Sequence, residues 1–275
     1  MTTSTATQFI AFFGATGGCT NACLVHTLKS GFSATALART PSKLTDMLLA
    51  QGLAQSVIDL QLTIVKGDIA DLAAIKSVLT NNDNNTSNSA TDSVKIASQI
   101  ISGIGGTPQM RMSLSKPMTI DNPEICASAT KNIIQALQEI YSAHPSTAQH
   151  RPSITVISTT GVSDVREDVP FGFRTLYHVV LADPHKDKKE MERLISEDAS
   201  TTAVFRGAVI IRPSLLKGDH SVTSGKGWQK LKIGVEDKPA VGYTCLRADV
   251  GQWICEQIVK TGGESYFGQK VTLTN

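Results

Sequence analysis

The sequence predicts an α/β fold in which helices cover both faces of a doubly wound parallel sheet, with a small lobe near the C-terminus. Short apolar runs alternate with helical patterns over about the first ninety residues, as expected for successive βαβ units. A glycine-rich turn separates the first apolar run from the first helical pattern. The alternation resumes after the polar segment 80–93. We therefore interpret that segment as a surface insertion within one domain.

The individual elements follow from periodicity and from glycine and proline positions. Gly31 suits the C-terminal cap of the first helix, and Pro41 suits the first position of the second. A single domain is predicted over residues 1–275, with its core at 8–161 and the lobe elements mainly within 162–247. Predicted strands lie at 9–13, 33–38, 62–65, 94–101, 154–158 and 208–211, and later helices at 124–141, 186–197 and 248–259.

Composition excludes several classes of function. The net charge of +2 and the scattered basic residues lack the basic stripe of a nucleic-acid-binding protein. Five cysteines without Cys-x-x-Cys spacing predict free thiols and no metal site. No apolar stretch reaches the roughly 18 residues of a membrane span. Because the polar N-terminal residues also lack a secretory pattern, a cytoplasmic protein is expected.

The glycine-rich turn at residues 14–20 follows a buried strand and precedes a helix. In this position the backbone N–H groups and the positive end of the helix dipole face a phosphate. Gly14 permits the tight turn, and Gly17 lets the backbone approach a pyrophosphate. Thr20 stands where a third glycine would allow close helix–strand packing. The predicted dinucleotide contacts here are Gly14, Thr16, Gly17, Gly18, Cys19 and Thr20.

The end of the second strand indicates which dinucleotide is bound. NAD-binding proteins usually carry an Asp or Glu there for the ribose 2′-hydroxyl. This chain has no carboxylate between Gly14 and Asp46, and Arg39 follows the strand instead. A guanidinium pairs bidentately with a phosphate, so NADP(H) is the predicted cofactor. Its further contacts are expected from Thr40 and Lys43, and next to the adenine from Asp68 and Ile69.

Taken together, the motifs resemble the atypical short-chain dehydrogenases/reductases of the Rossmann fold. The resemblance is to the NmrA-like group and to the flavin/biliverdin reductase-like and isoflavone-reductase-like NAD(P)-binding enzymes. The resemblance extends over nearly the whole chain. The motifs in this order are more specific for the family than the glycine turn alone. The matching segments are GATGGCT at 14–20, ART-PSKL at 38–44, VKGDIAD at 65–71, SGIGG at 102–106, ISTTG at 157–161, DKKEME at 187–192, IIRPSLL at 210–216 and RADVGQWI at 247–254.

The resemblance implies which residues line the nicotinamide side of the site. They are Ser102 and Gly103 after the fourth strand, Ser158 and Thr159 after the fifth, and Pro213. Typical short-chain dehydrogenases combine such a serine with Tyr-x-x-x-Lys, in which tyrosine donates the proton. This pair is absent here, because Leu181 stands four residues after Tyr177. Isoflavone-reductase-like enzymes instead rely on a lysine without the tyrosine.

Helical geometry selects among three lysines in the segment 186–197. At about 100° per residue, Lys188 lies within about 20° of Ile195 and about 60° of Met191, so it is predicted to face inward. Lys186 and Lys189 are predicted on the polar face. The alternative is that all three belong to a solvated basic run. His185, one turn earlier, could relay a proton or only pack or cap. Tyr177 and His178 are further candidates for the catalytic proton donor.

Three functions are compatible with these residues. The first is an NADPH-dependent reductase that transfers hydride to a carbonyl or activated double bond of a small, mostly apolar organic substrate. The missing Tyr-x-x-x-Lys pair favours an NmrA-like NADP(H)-binding redox sensor without catalysis. A redox-neutral isomerase or cyclase could use the same fold. The sequence leaves open whether the chain is a monomer or a homodimer.

Overall fold

The structure, a computed structural model, describes residues 8–81, 94–106, 108–110, 118–120, 122–173, 182–197 and 203–275. Its strands are β1 Phe9–Phe13, β2 Ser33–Ala38, β3 Leu62–Lys66, β4 Thr80–Asn81, β5 Lys95–Ile96, β6 Gln99–Ser102, β7 Pro108–Met110, β8 Met118–Ile120, β9 Ser153–Ile157, β10 Gly207–Pro213, β11 Leu215–Lys217, β12 Lys232–Val235, β13 Thr244–Leu246 and β14 Lys270–Thr274.

Within these residues, eight strands form the central sheet in the order β12-β14-β10-β9-β6-β1-β2-β3. All neighbouring pairs are parallel except β12 with β14. The chain leaves β1 first toward β2 and β3 and later returns to the other side of β1 with β6. The predicted doubly wound parallel sheet is therefore confirmed, and its strand order reverses direction between β1 and β6.

Helices cover both faces of this sheet. They are α1 Gly18–Lys29, α2 Pro41–Leu49, α3 Gln55–Gln61, α4 Leu72–Leu79, α5 Ile125–Ala143, α6 Ala182–Ser196 and α7 Arg247–Ile254, the last followed by a π-helical turn at Cys255–Val259. Successive residues of a strand point to opposite faces. Ile10 and Phe12 accordingly join a core beneath α1, α2 and α7, whereas Phe9 and Phe13 join a second core beneath α4, α5 and α6.

The last helix packs closely on the first. Within α7, a side chain at Gly251 would come within 2.6 Å of Ala22 Cβ and 2.7 Å of Cys23 N. Only glycine therefore permits this separation between α7 and α1. The contact brings the beginning of α7 next to the beginning of α1, although 229 positions separate Gly18 from Arg247 in the chain.

Two elements differ from the sequence prediction. The strand predicted at 94–101 is divided: β5 pairs antiparallel with β4, and only β6 enters the central sheet. The elements after residue 161 do not all form an added lobe, because β10, β12 and β14 extend the sheet and α7 packs on α1. The small parallel pair of β11 and β13 lies outside the central sheet. Most of the predicted insertion at 80–93 lies outside the described residues.

Within the described residues, no helix is long and apolar enough to cross a membrane. The same residues contain no group of three potential metal ligands. All five cysteines are buried, and none forms a disulfide.

Candidate dinucleotide-binding site

The candidate site lies at the carboxyl edge of the sheet, where β1 and β6 are neighbours. The chain turns toward opposite faces after these two strands, and such a point opens a crevice in doubly wound folds. The turn at 14–17 follows β1, and residues 103–106 follow β6. The sheet topology thus brings together two segments that sequence analysis had assigned to one site.

Gly14 fixes the path of the turn after β1. Its φ of +79° lies in the left-handed region, which favours glycine. A side chain at this position would also come within 2.9 Å of the carbonyl group of Gly103. The N–H of Gly17 donates to Gly14 O at 2.8 Å, and the buried Asn21 amide donates to Ala15 O at 2.8 Å. The turn is therefore held by the protein itself, while Thr16 and Gly17 remain exposed.

The beginning of α1 is not capped by a side chain. Its N-cap is Gly17, and its first turn contains no acidic residue. The first N–H groups of a helix have no partner within the helix, and the helix dipole makes this end positive. An anion can therefore bind here through the backbone of Gly18 and Cys19. The Cys19 side chain points inward, and burial raises the pKa of its thiol to about 12.

Thr20 contacts the protein through its side chain. Its hydroxyl faces Gly103, where any side chain would overlap Thr20 Oγ1. The glycine that allows close packing at this point is thus in the loop after β6 and not in α1. Thr20 is almost completely buried. A cofactor contact from Thr20 would therefore have to come from its backbone.

The end of β2 presents cationic and hydroxyl groups to solvent. Arg39, Thr40 and Lys43 are exposed, and within the described residues neither cation forms an ion pair. Asp68 is also exposed and accepts the N–H of Ala70 at 3.0 Å. Ile69 is buried. The structure places these predicted residues at the ends of the adjacent strands β2 and β3, and their roles toward a cofactor stay predictions.

Lys188 reaches the carboxyl edge from helix α6. Its ammonium group donates to Ile157 O at 2.6 Å and to Ile104 O at 3.2 Å. These carbonyls belong to the end of β9 and to the loop after β6. The predicted inward orientation is therefore confirmed. Lys186 and Lys189 are exposed, and Lys189 pairs with Asp164 at 2.5 Å, as predicted for the polar face.

Ser158 lies directly after β9 and is buried. Its N–H donates to Ile211 O at 2.7 Å, which fixes the backbone between β9 and β10. Its hydroxyl donates to Glu192 Oε1 at 2.5 Å. Because Ser158 has one hydroxyl proton, its oxygen can offer only lone pairs to a ligand while this bond exists.

Glu192 and Arg212 belong to the site but carried no predicted role. They form a buried ion pair between α6 and β10, and Arg212 also contacts Glu236 at 3.0 Å. Burial alone would lower the pKa of Arg212, but the hydrogen bond and charge of Glu192 raise it above its ordinary value. The signal in the sequence was weak, since charged helix residues usually face solvent.

The remaining predicted residues lie around this centre. Pro213 ends β10, is buried, and accepts the N–H of Thr160 at 3.1 Å, next to the half-buried Thr159. Ser102 ends β6 and is buried. His185 is buried within α6, one turn before Lys188. Tyr177 and His178 lie outside the described residues.

Asp187 was also missed as a site residue. Its carboxylate, on α6, accepts the N–H groups of Cys126 and Ala127, each at 2.9 Å. These are the second and third residues of α5, so Asp187 caps that helix from a different part of the chain. The two bonds hold α6 against α5 and thereby fix the position of the adjacent Lys188.

A cleft of about 860 Å³ lies beside α5 and α6. Its lining is mainly charged. Glu192 and Arg212 are part of it, so the cleft reaches the ion pair that holds Ser158. Further lining residues include Lys131, Val162, Asp164, Val165, Asp187 and Glu236.

The fold and the site define a Rossmann protein that binds a nicotinamide dinucleotide. The model of the NAD(P)H-binding family matches residues 14–261. The chain belongs to this family.

Two fungal proteins are similar to the chain over almost its full length. The oxidase pynE of Aspergillus niger is 43% identical over 278 residues, which cover 96% of this chain and 98% of that protein. The reductase pytE of Aspergillus terreus is 44% identical over 277 residues, covering 98% and 99% respectively. Both names are those of oxidoreductases.

Solved structures share the fold at low sequence identity. A short-chain dehydrogenase/reductase from Veillonella parvula, in complex with NADP, has a TM-score of 0.63 and 13% identity, covering 98% of this chain and 94% of that one. ChuY, an anaerobillin reductase from Escherichia coli O157:H7, has a TM-score of 0.60 and 16% identity, covering 97% and 96%. These similarities support the confirmed fold class.

Proposed function

We propose that the chain is an NADPH-dependent reductase acting on a carbonyl or activated double bond of a small organic substrate. The observation that carries the proposal is the position of the Lys188 ammonium group, which is hydrogen-bonded both to the end of β9 and to the loop after β6. The relatives named reductase and oxidase support oxidoreductase chemistry. When bound, the cofactor would supply the hydride, and the protein would orient it and supply a proton.

Lys188 is the best candidate to donate a hydrogen bond toward the reacting groups. An ammonium group has three N–H donors, and the two carbonyl contacts use two of them. Ser158 cannot offer its proton while Glu192 accepts it. We therefore assign the donor role to Lys188 and an acceptor role to Ser158, with His185 and Tyr177 kept as candidates for relaying the proton.

The choice of NADPH over NADH rests on Arg39. Its exposed guanidinium follows β2, no carboxylate stands at the end of that strand, and Lys43 adds a second cation. A 2′-phosphate would be attracted by both charges, whereas a ribose hydroxyl would gain little from them. The Veillonella parvula structure holds NADP, which supports the same choice by analogy of fold.

The substrate predicted from the sequence is small and mostly apolar. The charged lining of the 860 Å³ cleft argues for polar groups on any substrate that binds there. We therefore include hydroxylated ketones and enones, quinones and flavins in the proposed range, alongside purely apolar carbonyl compounds.

The decisive experiment compares Lys188→Ala with Lys260→Ala. Lys260 follows Val259, whose carbonyl accepts from Gln99 at the beginning of β6, so it lies at the opposite edge of the sheet from Lys188. Oxidation of NADPH by a panel of these substrates should be abolished, or need far more cofactor, in Lys188→Ala and remain unchanged in Lys260→Ala. An unchanged rate in Lys188→Ala would contradict the assignment. Product formed without net NADPH oxidation would indicate a redox-neutral isomerase or cyclase.

The second candidate function is an NADP(H)-binding redox sensor. The absence of the Tyr-x-x-x-Lys pair favours it. A sensor should bind NADP+ and NADPH with clearly different affinities and oxidise NADPH with no substrate of the panel. Calorimetric titration of both cofactor forms, together with the substrate panel, separates the two functions.

A further inference from the structure

The side chain of Arg247 lies over the first turn of α1. Arg247 begins α7, and a side chain at Gly18 would overlap its Cδ and come within 3.1 Å of its Cγ and Nε. All three of the atoms nearest to that position belong to Arg247. The glycine at 18 therefore makes room for an arginine from the far end of the chain.

The guanidinium of Arg247 is held by main-chain carbonyls. Its Nη1 donates to Leu216 O at 3.1 Å and to Gly218 O at 2.7 Å. A guanidinium has five N–H donors, and within the described residues those of Nε and Nη2 have no hydrogen-bond partner. Among the residues that the structure describes, no carboxylate pairs with Arg247. Its positive charge is thus oriented but not neutralised.

This position is electrostatically unfavourable without an anion. The beginning of α1 carries the positive end of the helix dipole, and a cation is destabilising there. The first turn of α1 offers no acidic residue to offset the charge. A bound anion between the helix end and the guanidinium would be attracted by both.

We propose that Arg247 is a further binding residue for the pyrophosphate group of the dinucleotide. The inference rests on the proposed cofactor binding at the turn 14–18. It assigns separate phosphates to the two arginines: Arg39 binds the 2′-phosphate that distinguishes NADPH, and Arg247 binds the pyrophosphate that NADPH and NADH share.

The test measures the Kd of NADPH and of NADH for the full chain and its variants. Arg247→Ala should weaken both dinucleotides by the same factor, about tenfold or more for a charge-assisted hydrogen bond. Arg39→Ala should weaken NADPH and leave NADH unchanged. Arg247→Lys, which keeps the charge, should restore part of the affinity. Unchanged Kd values in Arg247→Ala, or a loss confined to NADPH, would overturn the inference.

A second variant covers the case in which Arg247→Ala does not fold. Gly18→Ala introduces a methyl group that must displace the Arg247 side chain, and it should weaken both dinucleotides equally. In the other case, in which Arg247→Ala does fold, adding Gly18→Ala to it should cost little further affinity, because no arginine side chain is left to displace. Full affinity in Gly18→Ala would contradict the proposal. Failure of the unmodified chain to bind either dinucleotide would instead contradict the proposed function.

Discussion

Glu192 and Arg212 form a two-point ion pair beneath the carboxyl edge of the sheet. Glu192 Oε1 accepts from Arg212 Nε at 3.0 Å, and Oε2 accepts from Nη2 at 2.6 Å. Their side chains are only 5% and 2% exposed. Burying two charges costs free energy, which the paired geometry offsets. Because the same carboxylate accepts the Ser158 hydroxyl, stability and site geometry depend on one group.

We expect Glu192→Gln to lower the free energy of unfolding by about 1–3 kcal/mol, since Arg212 loses one of its two carboxylate partners and keeps the other, Glu236, at 3.0 Å. Urea denaturation followed by circular dichroism measures this. The double variant Glu192→Gln/Arg212→Met removes both charges and should recover much of the loss. Equal stability of the single variant and the unmodified chain would show that the ion pair is not needed.

Asp168 is expected to make stability depend on pH. Burial raises the pKa of its carboxyl above the ordinary 3.8, although the Gly161 N–H, at 2.7 Å, opposes this. A raised pKa means that the folded state binds the proton more tightly. This contribution to stability is therefore complete below pH 3.8 and is lost as the pH rises through the raised value.

The comparison with Asp168→Asn isolates this effect from other carboxyl groups. The asparagine can still accept from Gly161 but does not ionise. The free energy of unfolding of the unmodified chain should fall relative to that of Asp168→Asn as the pH rises from 3.8. A difference that stays constant from pH 3.8 to neutral pH would contradict the raised pKa.

The cysteines are expected to react slowly in the folded protein. Burial is the main cause that raises the pKa of Cys19 to about 12 and of Cys126 and Cys245 to about 11. The thiolate is the reactive form, so a thiol-specific reagent at pH 8 should label the native chain far more slowly than the chain in guanidinium chloride. Rapid labelling of the native chain would indicate that a thiol is accessible.

Gly251→Ala should separate α1 from α7. The new methyl group would overlap Ala22 Cβ and approach Cys23 N at 2.7 Å. Overpacking of this kind typically costs about 1–3 kcal/mol, measurable as a lower urea midpoint. Gly105→Ala is the matched control, because nothing lies within 4 Å of its added methyl group. Similar stability of the two variants would argue against close helix packing.

The sequence predicted β1 and β2 with correct ends, because each is an apolar run bounded by turn residues. It missed β12 and β14: β12 contains Lys232 and Gly234, and its pairing with β14 becomes evident only in the folded chain. The inward orientation of Lys188 was predictable, because the face of a helix on which a residue lies depends only on residues nearby in the sequence. The Glu192–Arg212 pair was not, since neither residue's local pattern indicates a partner 20 positions away.

The packing of α7 on α1 also determines when the dinucleotide site becomes complete during synthesis. The turn at 14–18 emerges from the ribosome before β2 to β13, and Arg247 and Gly251 emerge only after them. The first βαβ units can form their strands before that time. We expect, however, that a nascent chain stalled before α7 holds a dinucleotide poorly, so that cofactor binding would report that synthesis has passed α7.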